Sequence, residues 1–175
     1  MIDHELTIHH ATSEDIDMLV PMIVETFRET YIPKSPVEEV ERHIARHFQR
    51  EQIAAELADP NGTMLIAYAE GAPAGYALIQ VGSTTPCITG PAPVKLSRIY
   101  LRASAIGQGR GAALMQACVD EAVRRGGRTI WLSVWDQNHR AIRFYEKIGF
   151  RPAGTCDFEF GGVRYLDPVM AMELP

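Results

Sequence analysis

A chain of 175 residues, 46% hydrophobic and 22% charged, is long enough to bury a core without disulfide or metal staples and too apolar for a disordered polypeptide. Its net charge of -5 argues against a nucleic-acid backbone as partner, which needs a clustered basic surface, and leans toward cationic or neutral small substrates. No stretch approaches the roughly 18 to 20 apolar residues of a membrane span. The start, Met1–Glu5, lacks the charged lead and apolar run of a secretory signal. Three cysteines, Cys87, Cys118 and Cys156, widely spaced and without C-x-x-C, make a reducing cytoplasm the expected setting.

Residues 6–10 read as a short strand. Thr12 to Asp15 then supply a cap and an acidic first turn for a helix whose apolar face is Ile16, Leu19, Val20, Ile23, Val24 and Phe27. Pro21 inside that pattern predicts a kink or break. Ser35-Pro36-Val37-Glu38 reads as a second helix start, with Ser35 as cap, Pro36 at the first helical position and Glu38 closing a capping box. His43 and His47 stand at i, i+4 on that helix; without H-E-x-x-H or an evident third ligand they read as a partly exposed pair rather than a metal site.

A third helix, 51–58, stops at Asp59-Pro60-Asn61-Gly62. Two strands, 63–69 and 74–81, follow around the turn 70–73, and residues 82–93 form a loop. Next come a strand at 94–101, a helix at 109–125 ending on Gly126-Gly127, a strand at 128–135 and a helix at 138–148 closed by Gly149. The tail, 151–174, breaks at Gly161-Gly162 into a hairpin. Helices alternate with strands through residues 1–175 as one domain, an α/β unit with a mixed sheet.

Between the strand ending at Leu101 and the following helix stands Ile106-Gly107-Gln108-Gly109-Arg110-Gly111-Ala112. Glycine density here either turns the chain or frees backbone N–H groups for an anion at the positive end of a helix. A Walker loop is excluded, since its Lys and Ser/Thr are missing. Gly107-x-Gly109-x-x-Ala112, with Asp136 after the next strand, also fits a dinucleotide fingerprint. Against that, five residues separate Leu101 from Gly107, and too little chain follows Trp135 for a doubly wound sheet.

Asn138 and Tyr145, seven residues apart, fall on one helical face. Strand, glycine loop, helix, strand and then N-x-x-A-x-x-F-Y-x-K-x-G-F from Asn138 to Phe150 resemble, in that order, the GNAT superfamily of acyl-CoA-dependent N-acetyltransferases. One departure is Ile106, where the family's loop begins with Gln or Arg. Glu25-Thr26-Phe27 with Tyr31, His47-Phe48, and the tail Phe158, Gly161 or Gly162, Asp167 and Met170 resemble in particular the bacterial polyamine acetyltransferases.

The resemblance implies an α/β, mostly antiparallel mixed sheet of about seven strands flanked by helices. It implies acetyl-CoA as cosubstrate without a metal, its pantetheine arm bonded like an added strand near Leu101 and Trp131 through Ile99, Tyr100 and Leu101. The pyrophosphate would rest on the N–H groups of Ile106, Gly107, Gln108, Gly109, Arg110, Gly111 and Ala112, with Asn138 on the arm. Tyr145 would protonate the departing thiolate and the Leu101 N–H would stabilise the oxyanion. Glu29, Tyr31 and Asp167 are candidates for the acceptor side, with Glu25, Glu29 and Asp167 as candidate bases. The basic cluster Arg124, Arg125 and Arg128 reads either as a solvated helix end or as a contact for the coenzyme 3′-phosphate, and Cys118 as a buried, poor nucleophile. The acceptor is a small-molecule or peptide amine, a homodimer stays open, and a silent acyl-CoA-binding module is the alternative from another class.

Overall fold

The computed structural model describes residues 6–175; Met1–Glu5, read above for a secretory signal, lie outside them. Among the described residues, β1 (Leu6–His10), β2 (Gly62–Ala69), β3 (Ala72–Val81), β4 (Pro93–Leu101), β5 (Thr129–Ser133), β6 (Arg151–Phe160) and β7 (Val163–Glu173) form one sheet in the order β1-β2-β3-β4-β5-β7-β6. Every pairing is antiparallel except β4 with β5. That crossover is made by α4 (Arg110–Arg124), a connection that only a parallel pair requires. A doubly wound parallel sheet is absent from the described residues, so the dinucleotide reading loses its fold.

Helices cover both faces. α1 (Ile16–Tyr31), α2 (Val37–His47) and α3 (Arg50–Ala58) build one core with Met64, Ile66, Tyr76 and Leu78; α4 and α5 (His139–Ile148) build the other with Leu65, Ala67, Ala77 and Ile79. β2 and β3 thus bury both sides, which is why they read as continuous apolar runs rather than as alternation.

Two expected irregularities are corrected. α1 runs unbroken through Pro21, whose ring lies on the exposed side while Leu19, Met22 and Ile23 face the core. The Asp17 carbonyl, which Pro21 leaves without its helical donor, belongs to a residue on that same exposed side, where solvent access lowers the cost of the lost bond. α2 starts at Val37 with Pro36 as its cap and no side-chain capping bond, so Ser35 stands one residue too early. At α3, Gln49 and Gln52 form a reciprocal cap that the sequence reading passed over.

One local feature shapes the middle of the sheet. β4 pairs with β5 only through Pro93–Thr129, Val94–Ile130 and Lys95–Trp131. Against β3, the register slips between Leu78 and Ile79, leaving Ser97 as an extra residue on β4. Such a bulge bends its strand and increases its twist. Above Lys95 the two central strands diverge, and the sheet opens into a fork.

Candidate active site

The fork is a cavity of about 530 Å³. Leu96 to Leu101 line one side and Leu132 to Trp135 the other; Asn138, Ala141, Phe144 and Tyr145 of α5 close it on one face, and Tyr31, Phe158, Phe160, Tyr165 and Asp167 on the other. Trp131 stands below the opening, still paired with Lys95, its indole N–H donating to Ser83 O at 2.8 Å. Trp131, expected to flank the arm, therefore does not line the cavity, whereas Leu132, Ser133 and Val134 do.

Alternate residues of a strand aim their N–H and C=O groups at opposite neighbours. Arg102 N donates to Ala74 O at 2.8 Å, and Leu101 stands opposite Gly75. The Leu101 N–H consequently points away from β3, into the fork, and so does that of Ile99, two residues back. Tyr100 spends its backbone on β3, and its side chain joins the opposite core beside Tyr76, with rings 5.9 Å apart. Of the three residues expected to hold the arm, two present free backbone and the third helps wall the opposite face of the cavity.

Gly107, Gln108 and Gly109 take φ angles of 114°, 52° and 74°, a left-handed stretch that glycine adopts at little cost. A short 3-10 turn at Ala103–Ala105 leads into it, and Gly109 caps α4. Arg110 N donates to Gly107 O at 3.0 Å and Ile106 N to Ala103 O at 3.4 Å, so those two N–H groups are spent. Those of Gln108, Gly109, Gly111 and Ala112 have no backbone acceptor among the described residues. They flank and open the N-terminus of α4, where the dipole favours an anion. The Arg110 side chain is buried and turns toward Glu70, 3.5 Å away, leaving the loop without a projecting cation; Ile106 is half exposed at the cavity mouth.

Tyr145 lies in the wall with its ring edge-on to Phe144 and Phe150, centroids 5.4 and 5.8 Å away. Burial pushes its phenol well above the usual range, so the hydroxyl keeps its proton. Asn138 is the N-cap of α5 rather than part of its face: its Oδ1 accepts from Ala141 N at 3.4 Å, which leaves the amide NH₂ toward the cavity it lines.

On the opposite face of the cavity, the Tyr31 hydroxyl stands 3.4 Å from that of Tyr100, and its ring packs against Trp135 and Phe160 at 6.3 and 5.7 Å. Asp167 is only 5% exposed. Burial, and then the neighbouring charge of Asp136, raises its carboxyl to about 6. No side-chain hydrogen bond reaches that carboxylate among the described residues. The other candidate bases are occupied: Glu25 pairs with Arg102, and Glu29 accepts the Ala103 N–H at 2.8 Å, which anchors the turn before the glycine loop to α1.

Other expectations sort cleanly. His43 is buried rather than partly exposed, stacked on Phe27 at 4.9 Å, and desolvation followed by repulsion from His47 lowers it to about 4. Arg124 chelates Glu121 with both nitrogens, at 2.6 and 2.7 Å, while Arg125 reaches back to Pro60 O, Gly62 O and Thr63. Arg124 is thus spent on its own helix and Arg125 on tying that end of α4 to β2, at the far end of α4 from the glycine loop. Cys118 is fully buried and its thiol is pushed up to about 12, which makes it inert. The aromatic wall of Trp135, Phe160 and Tyr165 went unnoticed in the sequence; Phe158, Phe160 and Tyr165 sharing one face of the terminal hairpin was the available signal.

An α/β sheet forked beside a glycine loop, with helices on both faces, defines an acyltransferase fold. The acetyltransferase (GNAT) family model matches residues 20–150. An uncharacterized N-acetyltransferase of Mycobacterium tuberculosis is 32% identical over 160 residues, spanning 91% of this chain and 98% of its own. In fold, the chain is similar to the PaiA N-acetyltransferase of Thermoplasma acidophilum solved in complex with coenzyme A, with a TM-score of 0.78 at 20% identity over 97% of this chain and 99% of that one. It is also similar to the ribosomal-protein-S18-alanine N-acetyltransferase of Escherichia coli, with a TM-score of 0.68 at 21% identity over 97% and 94%. The chain belongs to the acetyltransferase (GNAT) family.

Proposed function

We propose that this enzyme moves the acetyl group of acetyl-CoA to a primary amine by direct attack within a ternary complex, and that its acceptor is a polyamine. The observation that carries the donor half is the fork, where unbonded backbone at Ile99 and Leu101 faces a cavity that ends at Tyr145. Bound acetyl-CoA supplies an acetyl thioester; the chain supplies everything else. The N–H groups of Gln108, Gly109, Gly111 and Ala112 hold the pyrophosphate, and Ile99, Leu101 and Asn138 orient the arm. The Leu101 N–H donates to the thioester oxygen as charge develops there.

Asp167 takes the proton that the ammonium must lose before attack, since a free alkylammonium titrates near about 10.4. A carboxyl raised to about 6 is better matched to that task than an ordinary surface acid. Tyr145 returns a proton to the departing thiolate. Tyr31, Trp135 and Phe160 line the cavity beside Asp167, an aromatic and acidic setting that suits a cationic acceptor and supports the polyamine reading. An acetyl-CoA consumption assay across polyamines, amino acids, aminoglycosides and short peptides tests it. Turnover confined to acceptors other than polyamines would reject the substrate, and no turnover with any amine would reject the reaction.

A further inference from the structure

We propose that Gly75 of β3 is a positioning residue for the reaction, setting the place of the Leu101 N–H by letting the Tyr100–Leu101 peptide lie against its bare Cα. This rests on the reading of Leu101 as donor to the thioester oxygen. A Cβ built on Gly75 would stand 2.3 Å from Tyr100 O, 2.7 Å from Leu101 Cδ2 and 3.0 Å from Leu101 Cα. Two of these contacts are backbone, so rotating a side chain relieves neither of them. Gly75 has no left-handed φ, so backbone conformation does not demand glycine here. What demands it is the closeness of the next strand.

The consequence follows from peptide geometry. A trans peptide is planar, with its C=O and N–H pointing in opposite directions. Tyr100 O and the Leu101 N–H belong to one peptide unit; its oxygen faces β3 and its hydrogen faces the fork. A Cβ at Gly75 pressing on that oxygen and on Leu101 Cα shifts the whole peptide, and the N–H that it carries moves with it. β4 is unsupported on its other side here, because its pairing with β5 ends at Lys95–Trp131. The displacement has no strand to resist it.

The test substitutes Gly75→Ala in the full chain and measures kcat and KM for acetyl-CoA, with calorimetric titration of coenzyme A giving the competent fraction and its Kd. Removing one oxyanion donor costs about 100- to 1000-fold in kcat, and misplacing it should cost at least about 10-fold. Kd for coenzyme A, which lacks the acetyl oxygen, should move by a smaller factor than kcat, since the glycine loop, Ile99 and Asn138 are untouched. An unchanged kcat per competent site overturns the proposal, as does a kcat loss matched by an equal loss of coenzyme A affinity. Where Gly75→Ala fails to fold, Gly75→Ala with Leu101→Ala removes the Cδ2 contact and keeps the one at Tyr100 O. Its kcat should stay at least about 10-fold below that of Leu101→Ala alone, and equality of the two overturns the proposal. Wild-type protein without acetyl-CoA turnover is the separate failure of the underlying reading.

Discussion

Tyr145 and Asp167 enter the cavity from different elements, α5 and β7, and Tyr31 of α1 lines it with them. The phenol keeps its proton and the carboxyl gives up its own near neutrality, the separation that the proposed roles of acid and base require. Tyr145→Phe should lower kcat by about 10- to 100-fold while acetyl-CoA KM stays within about 3-fold, read from initial rates; an unchanged kcat removes Tyr145 from the chemistry. For Asp167, kcat/KM should rise with pH through about 6, and Asp167→Asn should flatten that limb. The same group bears on stability with the opposite sign to a salt-bridged acid. Its folded pKa lies above its unfolded value, so folding is favoured at low pH and loses that contribution as pH climbs from about 4 to about 6. Asp167→Asn should therefore raise Tm at pH 8 while lowering activity, and a lowered Tm would show that the carboxylate is structurally paired.

At the scale of elements, the fork is made by β4 departing from β5 after three paired positions, with Ser97 as the extra residue and Gly75 as the neighbour that lets Leu101 come close. α1 has to reach the acceptor wall at Tyr31 in one piece, and it does so through Pro21. Since Pro21 is exposed and contributes no packing, Pro21→Ala should stabilise the protein by about 1 to 3 kcal/mol in urea unfolding, less whatever proline gains from its stiffer unfolded chain. A destabilised variant would mean that the interruption is used. The strands and the later helices were placed by apolar periodicity and by Gly, Pro and cap residues within one or two positions, whereas α1 was expected to kink or break at Pro21 and instead runs whole to Tyr31. The misplaced start of α2 has a local cause: Ser35 has the chemistry of a cap, but Pro36 already occupies that role with extended backbone.

Taken whole, the molecule is one sheet with a core on each face, opened at its centre, and no helix among the described residues is long and apolar enough to cross a membrane. A ligand that bridges β4, the loop before α4 and α5 should brace all three. At 100 times its Kd, acetyl-CoA should add about 2.7 kcal/mol, and for a domain of this size that raises Tm by roughly 5 to 10 °C; NAD(P) should add nothing. A shift with NAD(P) and none with acetyl-CoA would reverse the assignment of the loop. The order of strand, glycine loop, helix, strand and Asn138–Phe150 was legible because each piece is local: glycine where φ turns positive, apolar residues at helical spacing. Which N–H groups stay free was not, since that depends on strand partners far along the chain. Ile99 and Leu101 are ordinary strand residues by themselves and become a binding edge only because β5 turns away. Asp167 was one acid among 22 acidic residues until β7 buried it beside Asp136 and the aromatic wall. Local chemistry is written in consecutive residues; desolvation and the gaps between strands are properties of neighbours, and only the folded chain assembles them.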